Sequence, residues 1–167
     1  IMAKKNLTIT LHMSELIYDV QNKTFLTGRS RSDGTNMEFV SHMQANHDDE
    51  NANQIVRSIG NAFSTLKNKL SEYIDESYAS DSVSNALISS SANLVLSLSM
   101  PSNYNRATAD TIGAAMHQYL VNVALSDWFT ITNKTDAAEY AALSQVNLNE
   151  IRDAINKRVR PTRTEVD

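Results

Sequence analysis

Histidines and acids are the first residues to test for chemistry. Of the four histidines, His42 and His47 stand five apart and precede the acidic run Asp48, Asp49 and Glu50. Together they sketch a metal site. The spacing, however, matches no common ligand frame such as the i, i+4 pair on a helix. The acids have a simpler reading as the first turn of a helix, where the helix dipole favours negative charge by about 0.3–1 kcal/mol each. His12 falls on the polar side of an alternating stretch, and His117 sits at the edge of a helical stripe beside Met116. The many serines include no Gly-x-Ser-x-Gly elbow. The only glycines, Gly28, Gly34, Gly60 and Gly113, form no phosphate-cradling loop. The carboxylates are scattered, so no acid/base pair emerges. The sequence is read as a non-enzyme, with no catalytic, metal-binding or cofactor-binding residue.

Two groups point to contacts rather than reactions. Lys157, Arg158, Arg160 and Arg163 place four cations in seven residues at the end of a helix. They complement the dipole of that helix, or they meet an acidic protein surface or a phosphate backbone. Trp128 and Phe129, in the densest aromatic stretch, are candidate partner anchors or plugs between two helices.

The elements that carry these residues follow from periodicity. From Ala52 to Ile74 the apolar residues Ile55, Val56, Ile59, Ala62, Phe63, Leu66, Leu70, Tyr73 and Ile74 recur in steps of three and four. This spacing predicts one long helix with a single apolar face that needs a cover. Leu7, Ile9 and Leu11 alternate with Thr8, Thr10 and His12, and Leu94, Leu96, Leu98 and Met100 repeat the pattern. Both read as strands lying side by side, with a third short strand at residues 86–89 as an option. Ser14 is placed to cap a helix through Leu16, Ile17, Val20 and Thr24, closed by Gly28. A short helix follows at residues 37–44. Pro101 ends the second strand. A helix then spans about Arg106 to Leu125, with Trp128, Phe129 and Ile131 in a connection. Asn133 or Thr135 caps a last helix, and Asn147-Leu148-Asn149-Glu150 has the form of a capping box that restarts it before Pro161.

The expected architecture is therefore mainly α: a bundle of four to five helices with a small two- or three-stranded sheet. It forms one domain over residues 1–167, with loops at 28–35 and 77–91 and a tail at 161–167. The chain has no cysteine, which excludes a disulfide framework and thiolate metal sites. A net charge of −4 argues against a protein built chiefly to coat nucleic acid, and no run approaches the ~20 apolar residues of a membrane span. Met37, Met43, Met100 and Met116 are candidates for an adaptable surface or for core filling.

Residues 94–163 also carry a resemblance. The strand end Leu98-Ser99-Met100-Pro101-Ser102-Asn103-Tyr104-Asn105, the helix end Asp127-Trp128-Phe129, then Tyr140, Leu148 and Ile151, and the closing run Lys157 to Arg163 resemble small structural-cassette proteins of tailed phages and prophages. In outline the chain is similar to helical head–tail connector and completion proteins, although the N-terminal strand and the long helix depart from the shortest of these. The resemblance implies a self-assembling homo-oligomer in the virion or the host cytoplasm, with other virion proteins as partners. It implies no catalytic residue. DNA contact through the basic tail is a further expectation. The alternative is a small intracellular adaptor or regulator that binds a protein or DNA.

Overall fold

The structure, a computed structural model, describes residues 3–46 and 48–163. Strand β1 (Lys5–His12) passes directly into α1 (Met13–Ser30). Then come α2 (Met37–Met43) and α3 (Asp49–Lys69), a 3₁₀ turn at Glu76–Tyr78, and strand β2 (Asn93–Met100). A second 3₁₀ turn at Arg106–Thr108 leads into α4 (Ala109–Thr132), and α5 (Lys134–Ile155) closes the order. The protein is mainly α, and its described residues form a five-helix bundle with a two-stranded antiparallel sheet. Among the described residues no helix is long and apolar enough to cross a membrane.

The two alternating stretches pair as the sequence suggests. Leu7 lies opposite Leu98, Ile9 opposite Leu96 and Leu11 opposite Leu94. Because side chains alternate across a strand, this register puts the apolar residues of both strands on one face. Ile9, Leu11, Leu94, Leu96, Leu98 and Met100 are all buried there. The expected third strand does not form. Residues 79–92 are irregular, held by Arg57 Nη1 donating to the Asn85 carbonyl at 2.8 Å and by Ile88 against Gly60. The outer edge of β2 is instead used by the chain leaving α3. Ser99 N–H donates to the Tyr73 carbonyl at 2.6 Å, and Asp75 N–H to the Ser97 carbonyl at 3.0 Å.

That arrangement explains where α3 stops. Its stripe is buried as the periodicity requires, with Ile55, Val56, Ile59, Ala62, Phe63 and Leu66 inside. The helix ends at Lys69 rather than reaching Ile74. Leu70, Tyr73 and Ile74 still face the core, but through tight turns (Tyr73 N–H to the Leu70 carbonyl, Ile74 N–H to the Ser71 carbonyl) that bring the chain onto β2. Three residues per turn keeps side chains on one side while the backbone changes direction.

α4 is the centre of the molecule. It packs against α1, α2, α3, α5 and β1, and Ile112, Met116, Leu120, Val121, Leu125 and Phe129 are sealed from solvent. A helix apolar on most sides must be covered over most of its surface, and α4 is, leaving Gln118, Asp127 and Ile131 on its open side. It runs on to Thr132, so Trp128, Phe129 and Ile131 belong to the helix and not to a connection. The Asn133 side chain caps α5, accepting from the backbone N–H groups of Thr135 and Asp136. α5 shows no break at Asn147. The Asn147 side-chain carbonyl accepts from Asn122 Nδ2 of α4 at 2.6 Å, so its capping chemistry is spent sideways. α1 likewise differs at both ends. It starts after His12, without a Ser14 cap, and extends past Gly28 to Ser30.

Candidate interaction surfaces

The basic tail divides into two halves. Lys157 Nζ pairs with Asp153 Oδ2 at 3.4 Å, and the Lys157 carbonyl accepts from Asn105 N–H. Arg158 turns back on α5, donating to the Ile155 carbonyl at 2.9 Å and to the Lys157 carbonyl at 3.2 Å. It therefore satisfies a carbonyl left open at the helix end. Val159 N–H donates to the Asn103 carbonyl at 2.8 Å, which stitches the tail to the turn after β2. Arg160 and Arg163 are exposed, and among the described residues they have no ion-pair or hydrogen-bond partner. The dipole-complement reading thus fits Lys157 and Arg158, while within the tail Arg160 and Arg163 have no partner among the described residues. Residues 164–167 of the expected tail lie outside the described residues.

Trp128 and Phe129 work inside the fold. Phe129 has no exposed surface and stacks on Tyr140 with ring centroids 5.5 Å apart. The expectation of a partner contact at Phe129 is corrected by this burial. Trp128 is half-buried and donates from Nε1 to the Met43 carbonyl at 2.8 Å, which closes the last turn of α2 against α4. An indole with one apolar face and one donor suits such a corner.

The described histidines are likewise joined to structural neighbours or lie at the surface. His117 Nε2 bonds Asp19 Oδ2 at 2.6 Å, tying α4 to α1. His12 Nδ1 pairs with Asn93 Oδ1 at 2.8 Å across the end of the ribbon. His42 is exposed on α2, and His47 lies outside the described residues. Asp48 precedes α3 and Asp49 and Glu50 form its first turn. Asp136, almost fully buried at the start of α5, accepts from Arg31 Nη2 at 2.5 Å and from Asn133 Nδ2 at 2.7 Å. This hydrogen bond and the adjacent carboxylate raise the Arg31 guanidinium above its ordinary value.

A surface that periodicity did not single out lies at the corner of α1 and α2. Tyr18 is 64% exposed and Met37 65%, and Phe25, Leu26 and Phe39 are also open to solvent. Tyr18 and Phe25 wall a groove of about 460 Å³ floored by Gln21, Asn22, Gln44 and Ala45. The corner exists because Gly28 lets α2 approach. A Cβ there would stand 2.8 Å from Gln44 Cγ and 3.2 Å from the Val40 carbonyl oxygen. The available signal was Tyr18 and Phe25 at i, i+7 on the side of α1 away from Leu16 and Val20. Two large rings off the buried stripe of a helix mark a second apolar face. Of the four methionines considered, Met43, Met100 and Met116 are core, and only Met37 is at the surface.

Compared with protein-family models, with characterised proteins and with solved structures, the chain matches none.

Proposed function

We propose that this chain is a non-enzymatic structural protein of a tailed-phage or prophage particle, at the neck or head–tail connector, and that it acts as a homo-oligomer. The observation that carries the reading is the α1–α2 corner. A helical protein with a filled core keeps three aromatic rings, a leucine and a methionine in solvent on two adjoining helices. Such surface is costly unless covered by another chain, and aromatic rings and methionine are enriched where chains meet. In this reading the corner packs on neighbouring subunits or other virion proteins, and Arg160 and Arg163 supply electrostatic attachment. The mechanism is geometric and needs no cofactor. The protein resides in the virion or in the host cytoplasm during assembly.

Electron microscopy and native mass spectrometry of the purified protein test this. Rings or other closed oligomers are expected, and Phe25→Glu combined with Phe39→Glu should reduce them to smaller species with the helical content unchanged. A stable wild-type monomer would overturn the reading.

The second reading, an adaptor or regulator that binds a protein or DNA, draws on one observation, the exposed guanidiniums of Arg160 and Arg163, which have no partner among the described residues. It predicts a monomer or dimer that retards DNA in a salt-dependent manner.

A further inference from the structure

The ribbon has one occupied edge and one open edge. On β2 the groups that point away from β1 belong to Ser97 and Ser99, since these bond the chain at Tyr73 and Asp75. In an antiparallel ladder, opposed residues alternate between bonded and unbonded pairs. Ser97 and Ser99 oppose Thr8 and Asn6, so Asn6, Thr8 and, two residues on, Thr10 turn their N–H and C=O groups away from β2. These three residues are exposed, and among the described residues no backbone group meets them.

Open edges are ordinarily guarded by lysine, proline or a bulge. Here the flanking polar groups are drawn to the other side. Lys5 Nζ donates to the Tyr104 carbonyl at 2.9 Å, Lys4 lies within electrostatic reach of Asp75, and His12 is bonded to Asn93 of β2. What is left on the edge is Asn6, Thr8 and Thr10: uncharged, mostly β-branched and without proline. A two-stranded ribbon gains from a third strand, because isolated pairs are marginal.

We propose that two copies of this chain join through their β1 edges, antiparallel, about a two-fold axis at Thr8. The result is one four-stranded sheet in the order β2-β1-β1-β2. The sequence is self-complementary in this register. Thr8 faces Thr8, Asn6 faces Thr10 of the second copy, and Lys5 falls opposite Leu11, so no lysine meets its own counterpart. Leu7, which is only half-buried, falls opposite Ile9 of the second copy on the inner face. An isologous contact of this kind is closed, and it leaves the α1–α2 corner free for other neighbours. The inference rests on the self-association proposed above and names one of its contacts.

Thr8→Pro is the sharp test. Among the described residues its N–H has no partner, so proline at this edge position should keep the fold while removing a bond across the axis. Thr8→Lys, which sets two ammonium groups against each other, serves if the proline variant does not fold. Circular dichroism and thermal melts check folding, and native mass spectrometry reads the assembly. Wild type is expected to give dimers or even-numbered oligomers, and either variant should halve the smallest species. In a chain without cysteine, Thr8→Cys should form a disulfide-linked dimer on mild oxidation, because bonded antiparallel partners have Cα atoms about 5.5 Å apart. Exposed Ser64→Cys on α3 is the control that should not. A wild-type oligomer untouched by the folded Thr8 variant, with no crosslink at Thr8→Cys, overturns edge pairing and spares self-assembly through α1–α2. A wild-type monomer overturns both.

Discussion

At the scale of single residues, the polar side chains of this protein mostly hold elements together. Asp33 shows how. Its carboxylate accepts from Thr35 N–H and Oγ1–H at 2.8 Å each and from Asn36 N–H at 3.0 Å, closing the loop before α2. The Thr35 bonds, backbone first, pull its pKa below the ordinary carboxylate value. A carboxylate whose pKa is lower folded than unfolded contributes stability that is complete above the unfolded value, and that is lost as pH falls through the folded one. Melting curves of wild type and Asp33→Ala should therefore differ most above the ordinary carboxylate range, and the difference should narrow as pH falls below that range. The adjoining Gly34 has a φ of +86°, a region that side chains resist, so Gly34→Ala should cost about 1 kcal/mol or more by denaturant titration. Phe129 is the opposite kind of residue, with no polar role and no exposed surface. Phe129→Ala should cost about 3–5 kcal/mol, as expected for an aromatic removed from a filled core.

At the scale of elements, the packing of α5 on α4 includes one buried amide pair beside the Phe129–Tyr140 stack. Asn122 is buried, and it donates to Asn147 across the joint. Asn122→Ala should lower stability by about 1–3 kcal/mol, and restoring bulk with Leu at both positions should recover much of it, since two apolar partners leave no polar group unpaired. The same pair shows why the sequence misleads there. Asn147 to Glu150 has the residues of a helix start, but a capping box works only if the preceding residue leaves the helix. Asn147 had a lateral partner, a long-range fact invisible in a window of four residues. The strands were legible because burial on one face imposes period two on any half-buried strand. The absent third strand was not, because Tyr73 to Asp75 took the β2 edge first. The end of α3 failed for a similar reason: its apolar stripe continues through tight turns, and periodicity tracks the face, not the hydrogen bonds. Of the surfaces, the tail was legible as charge, but its division at Arg158 depends on where the carbonyls of α5 end.

At the scale of the whole molecule, the chain carries excess negative charge, and its tail carries a cluster of positive charge. Among the described residues, Arg160 and Arg163 are the two cations of the tail segment without a partner. If they alone touch DNA, two phosphates per chain are neutralised. The log of the binding constant should then fall with the log of salt with a slope of about −1.8 per chain. A much steeper slope in gel-shift titrations would assign the contact to other basic residues. The double variant Arg160→Glu with Arg163→Glu should abolish the shift and leave the melting temperature within a few degrees, because neither side chain bonds to any of the described residues. Reversal at Arg158 should instead loosen the end of α5, since its guanidinium satisfies carbonyls there.

The sheet also sets a timetable for synthesis. His12 and Asn93, which face each other at the end of the ladder, are separated by 81 residues. A ribosome adding about 5–20 residues per second needs roughly 4–16 s between them. Throughout that interval the nascent β1 has both edges bare, with α1, α2 and α3 completed behind it and no β2 to join. A strand that must wait this long on a polysome is within reach of the same strand on the next nascent chain, so dimers of the kind inferred here can begin before either copy has been released.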